Sequence, residues 1–98
     1  MKRRKIIWSP KAETELLQLI IYLNTEWGES TVESVLDKID RLLLLASRMP
    51  YIFPKHPKLK QRYFIVNRLT RVYYKTGRTK IEVVALYDNR RDNSNYKG

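Results

Sequence analysis

The chain has no cysteine and a single histidine. No disulfide framework can form, no thiolate can act as a nucleophile, and almost no vocabulary for a metal site remains. Lack of cysteine is compatible with a reducing cytosol. The three glycines nowhere take the spacing of a phosphate-binding P-loop. After the basic start Met1-Lys2-Arg3-Arg4-Lys5, only Ile6, Ile7 and Trp8 precede Ser9-Pro10. That run is too short for the apolar region of a signal peptide, and no run approaches a membrane span. A cytoplasmic location without membrane contact is therefore expected. Acidic residues are missing from the whole interval between Asp40 and Glu82.

Seven of the ten acids fall from Glu13 to Asp40, whereas the acid-free interval holds Arg41, Arg48, Lys55, Lys58, Lys60, Arg62, Arg68, Arg71, Lys75, Arg78 and Lys80. The net charge is +10. Such segregation is not needed for solubility, and a one-sided basic field attracts polyanions: nucleic acid, a ribonucleoprotein or an acidic protein. Lys55, Lys58, Lys60, Arg62, Arg68 and Arg91 are the candidate groups for holding a nucleic acid or an acidic partner.

Ninety-eight residues, 43% of them hydrophobic, allow one domain with one core, with residues from about 88 onward as a polar tail. The pattern predicts an α+β fold: an N-terminal strand and a helical hairpin packed on a mainly antiparallel sheet. Lys5–Trp8 reads as a short strand. Ser9 can cap a helix that Pro10 opens, proline having no N–H to leave unsatisfied. Ala12, Leu16, Ile20, Leu23 and Trp27 recur at helical spacing, with Leu17 and Ile21 widening the stripe. Gly28 is a stop signal. Ser30-Thr31-Val32-Glu33 has the form of a capping box for a second helix. Its apolar face runs from Val32 to Ala46, and Leu44 and Leu45 predict a well-buried end. The helices are expected near 10–26 and 30–48.

Pro50, Pro54 and Pro57 make 50–61 a loop. Tyr51 and Phe53 are expected to anchor it, and His56 to be a solvent-exposed loop histidine. Strands near 62–67, 70–76 and 80–88 follow as a meander, with Gly77 supplying an unusual backbone angle in the last turn. Ile81, Val83, Ala85 and Tyr87 alternate with Val84 and Leu86, so the last strand is expected to be buried on both faces. It runs into Asp88-Asn89-Arg90-Arg91-Asp92-Asn93, which places charged groups at the rim of a rigid sheet.

A serine–histidine–aspartate triad would have to recruit His56, with no nucleophile signature nearby. The acids lie mostly on the helices, which disfavours a paired-carboxylate hydrolase. Arginine, lysine and tyrosine remain. They suffice for cleavage of RNA by its own 2′-hydroxyl, in which the protein stabilises charge on phosphorus and assists proton transfer. No metal site and no cofactor are expected.

The ordered series Ile6-Ile7-Trp8-Ser9-Pro10, Ile21-Tyr22-Leu23 to Trp27-Gly28, Met49-Pro50, Arg62-Tyr63-Phe64-Ile65-Val66, Arg71-Val72-Tyr73-Tyr74 and Ile81 to Asn93 resembles the RelE/ParE superfamily. These are toxins of bacterial type II toxin–antitoxin modules. The resemblance implies the helical hairpin on a curved sheet, and a cognate acidic antitoxin that wraps and blocks the toxin. It leaves two targets open. ParE-like toxins poison DNA gyrase; RelE-like toxins cut mRNA on the ribosome. The long helical hairpin looks ParE-like. Arg90 and Tyr96 fall where RelE-like toxins carry catalytic residues, and Arg71 aligns with a strand arginine of that group. Lys58 and Lys60 have suitable spacing for its lysine pair without a clean match. The glutamate and histidine of YoeB-like relatives are absent from matching positions. The expected function is thus a growth-inhibiting toxin of an addiction module, acting on gyrase or another protein target, with the ribosome-dependent ribonuclease as alternative. A non-toxic nucleic-acid-binding domain is a third reading, without a DNA-reading motif to support it.

Overall fold

A computed structural model of the chain describes residues 3–88. Its elements are β1 (Lys5–Trp8), α1 (Pro10–Glu26), α2 (Glu29–Arg48), a short 3-10 turn (Pro50–Ile52), β2 (Arg62–Asn67), β3 (Thr70–Thr76) and β4 (Lys80–Asp88). The strands form one sheet in the order β1-β4-β3-β2. β1 runs parallel to β4, and the other two pairings are antiparallel. The expected α+β architecture is the one observed.

Ser9 starts α1 as its chemistry requires. Its Oγ accepts from the Ala12 N–H at 3.1 Å, and Pro10 sits in the first turn. α2 begins differently from the capping-box expectation. Gly28 is its N-cap at φ 95°, no side chain caps it, and Ser30 and Glu33 are exposed within the helix. A positive φ lets the chain reverse in a single residue between the helices, and glycine takes it at little cost. The Gly28 N–H still closes α1 by donating to the Leu23 carbonyl.

The core holds Leu19 and Leu23 of α1, Ile39, Leu43 and Ala46 of α2, and Phe64, Val66, Val72, Tyr74, Ile81, Val83 and Leu86 of the sheet. Most of the expected α1 stripe faces the core, with Ala12 and Leu23 buried and Leu16 and Ile20 packed against it, but it widens on the side of Leu19 and not on that of Leu17 and Ile21. Leu19 is inside, while Leu17, Ile21 and Trp27 are 60%, 65% and 64% exposed. Leu44 and Leu45 likewise face outward, and the buried end of α2 is made by Ala46 and Ser47. Small residues suit that point because the chain entering β1 crosses it. The Arg4 N–H donates to the Ser47 carbonyl at 2.8 Å.

Strict alternation along β4 is broken. Tyr73 pairs with Ala85 but Tyr74 pairs with Val83, so Val84 is an extra residue between them. The bulge keeps Ile81, Val83 and Leu86 all in the core and turns Ala85 and Tyr87 to the other face. β1 stops at Trp8, opposite Val83. Beyond that point α1 takes over the unpaired edge of β4, Glu15 Oε1 accepting from the Leu86 N–H at 2.8 Å. A buried backbone donor without such a partner would be costly.

In the β3–β4 turn Gly77 does not have a positive φ, contrary to expectation. Its small size matters instead. A Cβ there would sit 3.3 Å from the Lys80 carbonyl, to which the Gly77 N–H itself donates across the turn. The β2–β3 turn is closed by Asn67 Oδ1, which accepts from the Leu69 N–H.

Candidate functional site

Two surfaces emerge from the register of β2, β3 and β4. The first is the face turned away from the helices. Ile65, Arg71 and Tyr87 lie side by side across it, and Tyr63, Tyr73 and Ala85 form the next row. Arg71 is exposed, with its guanidinium 5.2 Å from the centre of the Tyr63 ring. That stacking holds a planar cation in a fixed orientation on a rigid sheet. Tyr73 is almost fully buried on this face, because Tyr63 at 5.4 Å and His56 at 6.0 Å between ring centroids cover it.

His56 is thus not a solvated loop side chain. Its Nδ1 accepts from the Lys58 and Leu59 N–H groups at 3.0 and 3.1 Å, and its ring leans on Tyr73. It organises the loop rather than standing free for chemistry. Pairing of Lys55 with Arg62, and the Tyr63 N–H donating to the Pro54 carbonyl, fold the same loop onto the first half of β2. From Phe64 onward, that outer edge of β2 carries no paired strand among the described residues. An open edge of this kind can accept an added strand.

The second surface is a cleft of about 260 Å³ at the opposite end of β3, lined by Tyr51, Lys55, Lys60, Gln61, Arg62, Tyr74 and Thr76. Tyr51 does not anchor the loop in the core. It is 65% exposed, with Arg62 and Arg4 stacked on its ring at 5.0 and 5.9 Å. Phe53 does the anchoring, packed against Phe64 at 5.4 Å and Tyr74 at 6.4 Å. Arg62 also donates from an Nη to the Phe53 carbonyl at 2.8 Å.

Tyr74 forms the floor, its hydroxyl donating to the Pro50 carbonyl at 2.6 Å. Burial pushes this phenol up from 10.0 to about 12, and the opposing pull of Arg62 only partly offsets it. The folded protein therefore favours neutral Tyr74. That preference is fully present below pH 10 and is lost as pH rises from about 10 to about 12. It corresponds to roughly 2–3 kcal/mol. Urea unfolding between pH 9 and 12 should show this loss, and Tyr74→Phe should show a shallower decline over the same window. Equal slopes in the two proteins would contradict the assignment.

The structure thus distributes the sequence-derived candidates. Lys55, Lys60 and Arg62 meet in the cleft. Lys58 is exposed in the same loop but does not line it, and Arg68 is exposed in the β2–β3 turn at the other end of the sheet. Arg71 lies on the face opposite the helices, away from the cleft. Arg90, Arg91 and Tyr96 lie outside the described residues. Sequence reasoning missed Tyr63 as the partner of Arg71, and Thr76 and Tyr51 as parts of the cleft. The period-two pairing of Tyr63 with Tyr73 was the available signal for the first. Among the described residues no group of three or more metal-type ligands occurs, and no helix is long and apolar enough to cross a membrane.

A model of the ParE toxins of type II toxin–antitoxin systems matches residues 6–93. The chain belongs to the ParE toxin family. Among curated protein sequences none matches significantly. Solved structures share the fold of this ParE-family chain at low identity. A chain from a chromosomal ParDE system of Pseudomonas aeruginosa has a TM-score of 0.69 at 12% identity, covering 88% of this chain and 96% of its own. A YoeB dimer from Staphylococcus aureus gives 0.61 at 17%, covering 88% and 97%. The DinJ–YafQ toxin–antitoxin complex of Escherichia coli gives 0.61 at 12%, covering 95% and 100%. The protein is a toxin of the RelE/ParE superfamily, and a toxin of that kind has a cognate antitoxin as partner.

Proposed function

We propose that this ParE-family toxin arrests growth by binding a protein target, DNA gyrase being the one its ParE-like features point to. The observation that carries the reading is the surface around Arg71. A guanidinium stacked on Tyr63, in register with exposed Ile65 and half-buried Tyr87, is an arginine–aromatic patch. Residues of that composition dominate the energetics of protein interfaces. The match of the ParE family model over residues 6–93 supports the same side.

A ribonuclease reading is favoured by one feature of the same place. Arg71 next to the Tyr63 phenol could hold a scissile phosphate, with Arg90 and Tyr96 completing the set. His56, close by on Tyr73, has its Nδ1 occupied by two backbone N–H groups. The experiment that separates the readings is induction of the chain without its antitoxin. Chromosome breaks with intact mRNA support the gyrase reading. Ribosome-dependent mRNA cleavage without DNA damage would refute it.

A further inference from the structure

The cleft at the end of β3 belongs to neither reading of Arg71. We propose that it is a phosphate-binding site, taking the phosphate group of a nucleotide or of a nucleic-acid strand. Lys55 and Lys60 face it from the loop and Arg62 from the start of β2, and no lining residue is acidic. None of the three is ion-paired with a carboxylate among the described residues. Their positive charge is concentrated in one concavity, where walls of low dielectric focus the field.

The donor set suits a phosphate. Arg62 spends one Nη on the Phe53 carbonyl and its plane on Tyr51, which leaves its other N–H donors for a ligand. Two lysine ammonium groups add compact charges that suit an anion with several acceptor oxygens. The floor supplies a second sign. The Thr76 Oγ1 is buried with no hydrogen-bond partner among the described residues. Buried hydroxyls are ordinarily paired, and such exceptions call for a ligand or a water. Tyr74, its O–H committed to the Pro50 carbonyl, stays protonated over the physiological range and so adds no negative charge to the floor.

The test is a titration of the full chain at constant ionic strength, followed by backbone amide shifts. Inorganic phosphate, adenosine monophosphate, a short single-stranded RNA, adenosine and a glutamate-rich peptide are the probes. The phosphate-bearing probes should saturate, with shifts centred on Tyr51, Gln61 and Thr76. Adenosine should leave those amides unmoved. A stronger effect of RNA than of the free anion would identify a strand as the source, and equal effects a free phosphate; either supports the site. Lys55→Ala/Lys60→Ala should weaken binding at least tenfold. The charge-matched Lys38→Ala/Arg41→Ala, on α2, should change it less than threefold. Equal loss in both variants would mean diffuse attraction and would overturn the proposal. Saturable binding of the peptide without binding of phosphate would overturn it as well. The outcome is independent of whether gyrase is the target.

Discussion

Arg71→Glu is expected to weaken target binding by roughly 30- to 1,000-fold, the range of an arginine at the centre of an interface. The side chain is exposed and its main contact is the Tyr63 ring, so the thermal midpoint should move by no more than about 4 °C. Arg71→Lys keeps the charge but loses the flat stacking surface, and should fall between the two. The measurement is the concentration of purified toxin needed to inhibit its target by half, beside a melting curve for each variant. Unchanged potency in a folded Arg71→Glu protein would remove the sheet face from the account. Lost potency together with a collapsed melting curve would instead make Arg71 a structural residue.

The largest effect on stability should come from Phe64→Ala. Phe64 is almost fully buried and packs against Phe53 and Tyr74, at 5.4 and 6.2 Å between ring centroids. It joins β2, at the edge of the sheet, to the loop that frames the cleft. Removing the ring leaves a cavity among groups that are already fixed by the Tyr74–Pro50 hydrogen bond. The expected cost is about 3–5 kcal/mol. For a chain of this size that lowers the melting temperature by at least about 12 °C, out of a total stability on the order of 5–15 kcal/mol. A drop smaller than about 5 °C would show that the aromatic cluster is not part of the cooperative core. The loop from Pro54 to Gln61 should lose its order first, since Phe53 and the pairing of Lys55 with Arg62 are what hold it down.

The boundaries of the helices and strands were legible because the chain punctuates them chemically. Ser9-Pro10, Gly28 and Pro50 mark ends by steric and hydrogen-bonding rules that operate within a few residues. The side on which the α1 stripe widens was not legible. From Leu16 to Leu23 nearly every residue is apolar, so Leu17 and Ile21 flank the stripe through Leu16, Ile20 and Leu23 as well as Leu19 does. Packing takes Leu19 in and leaves Leu17 and Ile21 outside. The bulge at Val84 was hidden for a related reason. An extra residue shows only against a partner strand, and its register with β3 is a tertiary fact. The parallel pairing of β1 with β4 also depends on contacts between distant segments.

The candidate site was legible as a charge distribution and illegible as geometry. Lys55, Lys60 and Arg62 line one cleft, while Lys58 and Arg68 of the same candidate set do not, and nothing in the spacing separates them. Arg62 turned out to be partly structural, since its guanidinium serves the Phe53 carbonyl and the Tyr51 ring. The role of His56 could not be read locally. Its ring is placed by Tyr73, a residue on a strand that follows the loop. Thr76 carries no motif at all, and only its burial without a partner singles it out.

The central claim is that this toxin works on a protein through the Arg71 face. It is tested most directly by adding the purified chain to DNA gyrase and supercoiled plasmid, with a parallel reaction on translating ribosomes. The account predicts that gyrase activity falls, or cleaved plasmid accumulates, as the toxin approaches stoichiometric amounts, while mRNA stays intact. Unimpaired gyrase at a large excess of toxin, with mRNA cut on the ribosome, would contradict it.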